Sequence, residues 1–89
     1  MPPSPRQLRR LERLLAEAKA AHAYLNCARE ARNEVISTLN LERACRSYNV
    51  ISRSIARGHL DPTSEDKLVC AQDGLRERLY NVACAVAEV

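Results

Sequence analysis

The chain has 89 residues, two glycines, four cysteines, three tyrosines as its only aromatics and a formal net charge of +3. A lone domain of this length buries only about 60–65% of the surface its unfolded chain exposes, and a staple, a metal or a partner chain is a common supplement; a core of Leu, Ala, Val and Ile does not suit a deep ligand pocket, which usually wants aromatic walls. Abundant Ala, Leu, Arg and Glu with scarce Gly point to an all-α fold.

The first element opens at Ser4, a candidate N-cap, with Pro5 at the first helical position and Gln7 closing a capping box. No Gly or Pro interrupts the chain from Arg6 to Arg57. At 100° per residue from Leu8, the residues Leu11, Leu14, Leu15, Ala18, Ala21, His22 and Leu25 gather with it around about 290°. Arg6, Arg9, Arg10 and Arg13 fall opposite, near about 150°, as a secondary basic patch. Beyond Asn26 the apolar phase moves, and it moves again at Ser37–Asn40. The spacing therefore predicts a long first helix over about 5–33, kinked or broken near Asn26–Asn33, with a second break near Ser37–Asn40.

The next element is a basic amphipathic helix over about 41–57. Leu41, Ala44, Cys45, Tyr48, Ile51 and Ile55 share one side. Arg43, Arg46, Arg53 and Arg57 lie within an arc of about 80° on the other, with Asn49 at its edge. Glu42–Arg46 is the stripe's one compensating i,i+4 pair. From Arg43 to Arg57 the stripe runs about 21 Å. Guanidinium forks fit phosphate oxygens in pairs, so a line of them matches a duplex backbone. A solvated helix face is the plainer reading of the same residues. No aromatic on this face offers a stacking platform for single strands, and no set of Asn and Gln reads base edges. The expectation is sequence-independent binding of duplex nucleic acid, with double-stranded RNA favoured because helices can follow its phosphates and 2′-hydroxyls. The Ser47, Ser52 and Ser54 hydroxyls are candidate helpers.

Gly58 and Leu60 predict a Schellman-type end, and residues 58–63 a loop. Asp61 before Pro62, or Thr63 with Asp66, caps a last helix over about 64–88. Leu68, Ala71, Leu75, Leu79, Val82, Val86 and Val89 form its stripe. Gly74 lies opposite. Tyr80, Val69 and Ala87 suggest a second buried face that would take in Cys70 and Cys84, and Asp73, Glu77 and Glu88 form an acidic patch. The segment SEDKLVCAQDGLRERLYNV has an outline of a helix-turn-helix, but Gly74 follows Ala71 by one residue too few for the usual turn.

The expected architecture is a small helical bundle: a long interrupted first helix packed on an antiparallel hairpin, and dimeric if the first helix projects outward. Charge is uneven, with seven basic and three acidic groups in residues 4–33, four and two in 34–57, and three and six in 58–89. Such a chain can set its basic half against an anion or against its own acidic end. Cys27, Cys45, Cys70 and Cys84 have neither clip nor zinc-ligand spacing. No apolar run approaches the roughly 20 residues of a membrane span, and MPPSPRQLRR is unlike a signal peptide. Reduced thiols, a cytoplasmic setting, no metal, no cofactor and no membrane are expected. His22 and His59 have no positioned Ser, Cys or acid, so no catalytic set is assigned and a non-enzyme is expected.

The basic, all-helical chain with the segment ACRSYNVISRSI resembles the small RNA-silencing suppressors of nodaviruses over about half its length. The resemblance implies a homodimer that lies along double-stranded RNA and masks it from host machinery. The acidic-flanked last helix departs from that pattern. The competing expectation is a small viral or phage-type adaptor that docks a helical face on a host protein complex.

Overall fold

The computed structural model describes residues 4–87. Three helices in chain order, α1 (Pro5–Glu30), α2 (Glu34–Arg57) and α3 (Pro62–Ala87), make up the fold. Every pair of helices packs together, and the Cα trace fills a rod of 50 × 17 × 17 Å. No strand occurs among the described residues.

The start of α1 is the capping box its sequence spells. Ser4 Oγ accepts the Gln7 N–H at 3.2 Å, and Gln7 Oε1 accepts the Ser4 N–H at 3.0 Å. Leu11, Leu14, Ala18, Ala21, Leu25 and Ala28 are its buried residues, alternating three and four apart. That interval keeps one narrow seam facing the neighbouring helices. Of the two expected partners for its stripe, the hairpin of its own chain and a second copy, the helix packs on the hairpin, with Leu8 and Leu15 left at the rim.

The break falls at Ala31–Asn33, inside the expected window. The Ala31 N–H closes the last turn on the Cys27 carbonyl at 2.9 Å. Asn33 then caps α2, its Oδ1 accepting the Val35 N–H at 2.8 Å and the Ile36 N–H at 3.4 Å. The expected second break near Ser37–Asn40 is absent, and α2 runs unbroken from Glu34 rather than from about 41. The apolar phase misleads there because the buried seam of α2 is polar and small: Ser37, Asn40, Ala44, Ser47 and then Ile51, again three and four apart. Ser37 Oγ donates to the Ala28 carbonyl at 2.7 Å. That carbonyl is one of the four that a helix end leaves without an intrahelical partner. Asn40 Nδ2 donates to the Ile36 carbonyl at 3.0 Å. Meanwhile Val35, Ile36 and Leu39 face outward.

Gly58 ends α2 with φ 73° and ψ −144°, its N–H on the Ile55 carbonyl at 3.1 Å. The φ is positive as expected, but the ψ lies outside the left-handed helical region a Schellman end uses. Leu60 does pack as foreseen, joining Ile55 against buried Leu11, Leu14 and Leu68. The loop is shorter than 58–63, because α3 already begins at Pro62. Asp61 is the residue that caps it, with Oδ2 accepting the Ser64 N–H at 3.1 Å. Hydrogen bonds led by the one with the Ser64 side chain hold the Asp61 carboxyl below its ordinary range.

The main core lies along the middle of the rod. Ala18, Ala21, Leu25, Ala28, Ala44, Ile51, Leu75 and Val82 form it, with Tyr24, Tyr48 and Leu79 among its half-buried borders. Fully buried Leu25, Ile51 and Leu75 each contribute about 1.5–3 kcal/mol of apolar burial. The many alanines and serines let the helices sit close, which explains the 17 Å width. The α3 stripe behaves as expected from Leu68 to Val86; Val89, and Glu88 of the acidic patch, lie outside the described residues. The second buried face does not exist: Tyr80 is 70% exposed, Ala87 and Cys70 are exposed, and only Val69 and Cys84 are half-buried. One apolar stripe suffices for a helix that has both neighbours on one side. The unbroken α3 also excludes a helix-turn-helix in this segment.

Candidate nucleic-acid interface

The start of α1, the end of α2 and the start of α3 meet at one end of the rod, around the Leu11–Leu14–Leu68 cluster. Arg6, Arg9, Arg10 and Arg13 fall within an arc of about 100° on the helix, so α1 holds them on one flank. The fold turns that flank toward the last turns of α2. Between them lies an open groove of about 790 Å³, lined by these four arginines, Arg57 and His59, together with Leu14, Val50 and Ser54. No carboxylate lines it. The single ion pair among the described residues, Arg76–Asp73 at 2.9 Å, is on α3.

The charge here is unfavourable to the isolated chain. A helix N-terminus carries about half a positive charge, which an acidic first turn normally offsets. The first turn of α1 has no acid, and four arginines follow within its first three turns. Close like charges add repulsion that only screening or a bound anion relieves.

The α2 stripe keeps its arginines exposed but gives them different surroundings. Arg43 reaches over the Tyr24 ring of α1, 5.9 Å from its centroid, at the outer range of a cation–π contact. Arg46 borders a shallow α2–α3 depression with Leu41, Glu42, Leu79 and Tyr80. Arg53 and Asn49 are exposed. Arg57 alone joins the groove, and so links the stripe to the α1 patch that sequence reasoning ranked second. Of the candidate hydroxyls, Ser47 is buried in the seam and Ser52 Oγ accepts from Gln72 Nε2 at 2.8 Å. Neither lines the groove, whereas half-buried Ser54 does.

At the opposite end a smaller hollow of about 300 Å³ between Ala28, Arg29, Arg32, Glu34, Ser37 and Val86 mixes both signs of charge. Concentrated positive charge is therefore a feature of one end of the rod.

Sequence reasoning missed a polar clamp between α1 and α3. Arg78 Nη1 donates to His22 Nδ1 at 2.9 Å and to the His22 carbonyl at 3.2 Å, and Nη2 donates to Asn26 Oδ1. Burial, and then the Arg78 charge, lower the His22 pKa below its usual 6.5, as an imidazole nitrogen that accepts from a guanidinium requires. The available signal was His22 and Asn26 at i,i+4 beside the apolar stripe; the matching arginine, 56 residues from His22 in the chain, had no local mark. The four cysteines are unpaired, with Cys27, Cys45 and Cys70 exposed. No group of three metal-ligating side chains gathers among the described residues, and none of the described helices is long and apolar enough to cross a membrane. Comparison of the chain with protein-family models, curated proteins and solved structures finds no match.

Proposed function

We propose that this protein is a non-enzymatic binder of duplex nucleic acid, double-stranded RNA in preference to DNA, that masks its ligand without reading sequence. One observation carries the reading: five arginines from two helices line one open groove that holds no carboxylate. Arg53 and Arg46 extend the positive surface from Arg57 back along the exposed face of α2 for about 16 Å. Phosphate contacts of this kind release counterions and give affinity without base specificity. The lack of a tyrosine among the groove residues and of a base-reading set on α2 supports backbone recognition over strand stacking. Self-association belongs to the same reading, supported by exposed Val35, Ile36, Leu39 and Tyr80.

Those apolar residues favour a second reading, in which the outer face of α2 docks on a larger host protein. Titration of a labelled 25-base-pair RNA, the same DNA and a single strand at several salt concentrations separates the two. Duplex binding that weakens steeply with salt, and is weaker and less salt-dependent in the Arg46→Ala/Arg53→Ala/Arg57→Ala protein, supports nucleic acid. No binding at low salt leaves the protein-docking reading.

A further inference from the structure

We infer that the groove between α1 and α2 is a discrete oligophosphate seat, taking a short run of adjacent phosphates from one strand of the duplex. The inference rests on the polyanion reading of this groove and narrows it to what can enter. Packed helices have axes about 8–10 Å apart, so the trough between α1 and α2 is narrower than a whole duplex and admits one backbone at a time. One strand's phosphates fit. From Arg6 to Arg13 is about 10 Å along α1. That length is enough for a short run of phosphates of one strand.

The chemistry of the lining agrees. Five guanidiniums from two facing helices surround a space with no carboxylate to compete and no tyrosine. Arg10 is half-buried while Arg6, Arg9 and Arg13 are exposed, so the set offers donors at more than one depth. The hydroxyl of half-buried Ser54 supplies a neutral donor. His59 adds a further ring from a residue with φ 67°, a conformation few non-glycine residues adopt. A phosphate run here also offsets the repulsion among the arginines and the positive end of α1. Two sources share this chemistry: the interior of a strand and a 5′-triphosphorylated strand end.

The test uses the full chain and inorganic tripolyphosphate, with orthophosphate at matched ionic strength as control. Tripolyphosphate should raise the unfolding temperature saturably and displace labelled duplex, and orthophosphate should do neither. The Arg10→Gln/Arg13→Gln protein should bind tripolyphosphate at least about tenfold more weakly. The Arg46→Gln/Arg53→Gln protein should bind it as the parent does. Equal loss in both variants overturns the seat, because it would mean diffuse attraction by net charge. Duplex binding without any tripolyphosphate effect also overturns it, and leaves the nucleic-acid reading standing. Tripolyphosphate binding without duplex binding supports the seat while the nucleic-acid reading falls. Comparing 5′-triphosphorylated with 5′-hydroxyl duplex then assigns the source: tighter binding of the former supports a strand-end seat, and equal binding an interior one.

Discussion

Replacing Ser37 with Ala removes one hydroxyl from the junction of α1 and α2. Ser37 is 6% exposed, and its Oγ donates at 2.7 Å to the Ala28 carbonyl, which α1 itself leaves unpaired. A buried acceptor that loses its donor costs about 1–3 kcal/mol. The chain should stay folded, since Ala is the better helix former by a few tenths of a kcal/mol, so the net loss is about 1–2 kcal/mol. With a urea slope near 1 kcal/mol/M for a small domain, the midpoint should fall by about 1–2 M at unchanged slope. A midpoint unchanged or raised would refute the reasoning. It would mean that water from the adjoining hollow, which both Ala28 and Ser37 line, replaces the hydroxyl without loss.

The two glycines should respond with opposite signs although a Cβ at either meets no atom within 4 Å. Gly74→Ala, inside α3, should stabilise by about 1 kcal/mol, while Gly58→Ala, at φ 73°, should destabilise by about 1–3 kcal/mol; thermal melts of the pair check both. Because the His22 pKa is lowered in the fold, its contribution is fully present above the unfolded value of 6.5 and is lost as pH falls through the folded one. Urea midpoints measured downward from about pH 7.5 to about pH 5.5 should therefore drop more in the parent than in His22→Gln, and parallel curves would contradict the clamp. An excess of thiol reagent should modify Cys27, Cys45 and Cys70 quickly and half-buried Cys84 slowly. A slow Cys45 would show that something covers the outer face of α2–α3.

The elements most legible in the sequence are those whose signals are local. Ser4-Pro5 with Gln7 spelled the start of α1, Asp61-Pro62 one of two candidate starts for α3, and the Leu68–Val86 stripe its buried side. What stayed hidden depended on partners distant in the chain. Ser37 and Asn40 read as a break because a polar residue on an apolar phase normally marks solvent. Here Ser37 finds the open end of α1 and Asn40 its own preceding turn, which no periodicity can announce. Tyr80 misled in the other direction, as an aromatic residue left in water. The basic patches were visible one at a time from helical spacing. Their meeting across α1 and α2 depends on the hairpin at Ala31–Asn33, which sets the start of α1 beside the end of α2. The four arginines of α2 share an arc of their helix, yet Arg43 is drawn to Tyr24 and Arg46 to the α3 side, contacts that a helical wheel omits.

The most direct test of the central claim is the salt dependence of binding to the 25-base-pair RNA. Each phosphate contact contributes about 0.9 to the slope of log K against log salt. The parent should bind with a steep slope, Arg46→Ala/Arg53→Ala/Arg57→Ala should lower it by about 2–3, and an equal DNA duplex should bind more weakly at every salt concentration. A slope near zero, or one that the triple substitution leaves unchanged, would contradict the proposal that these arginines meet phosphate.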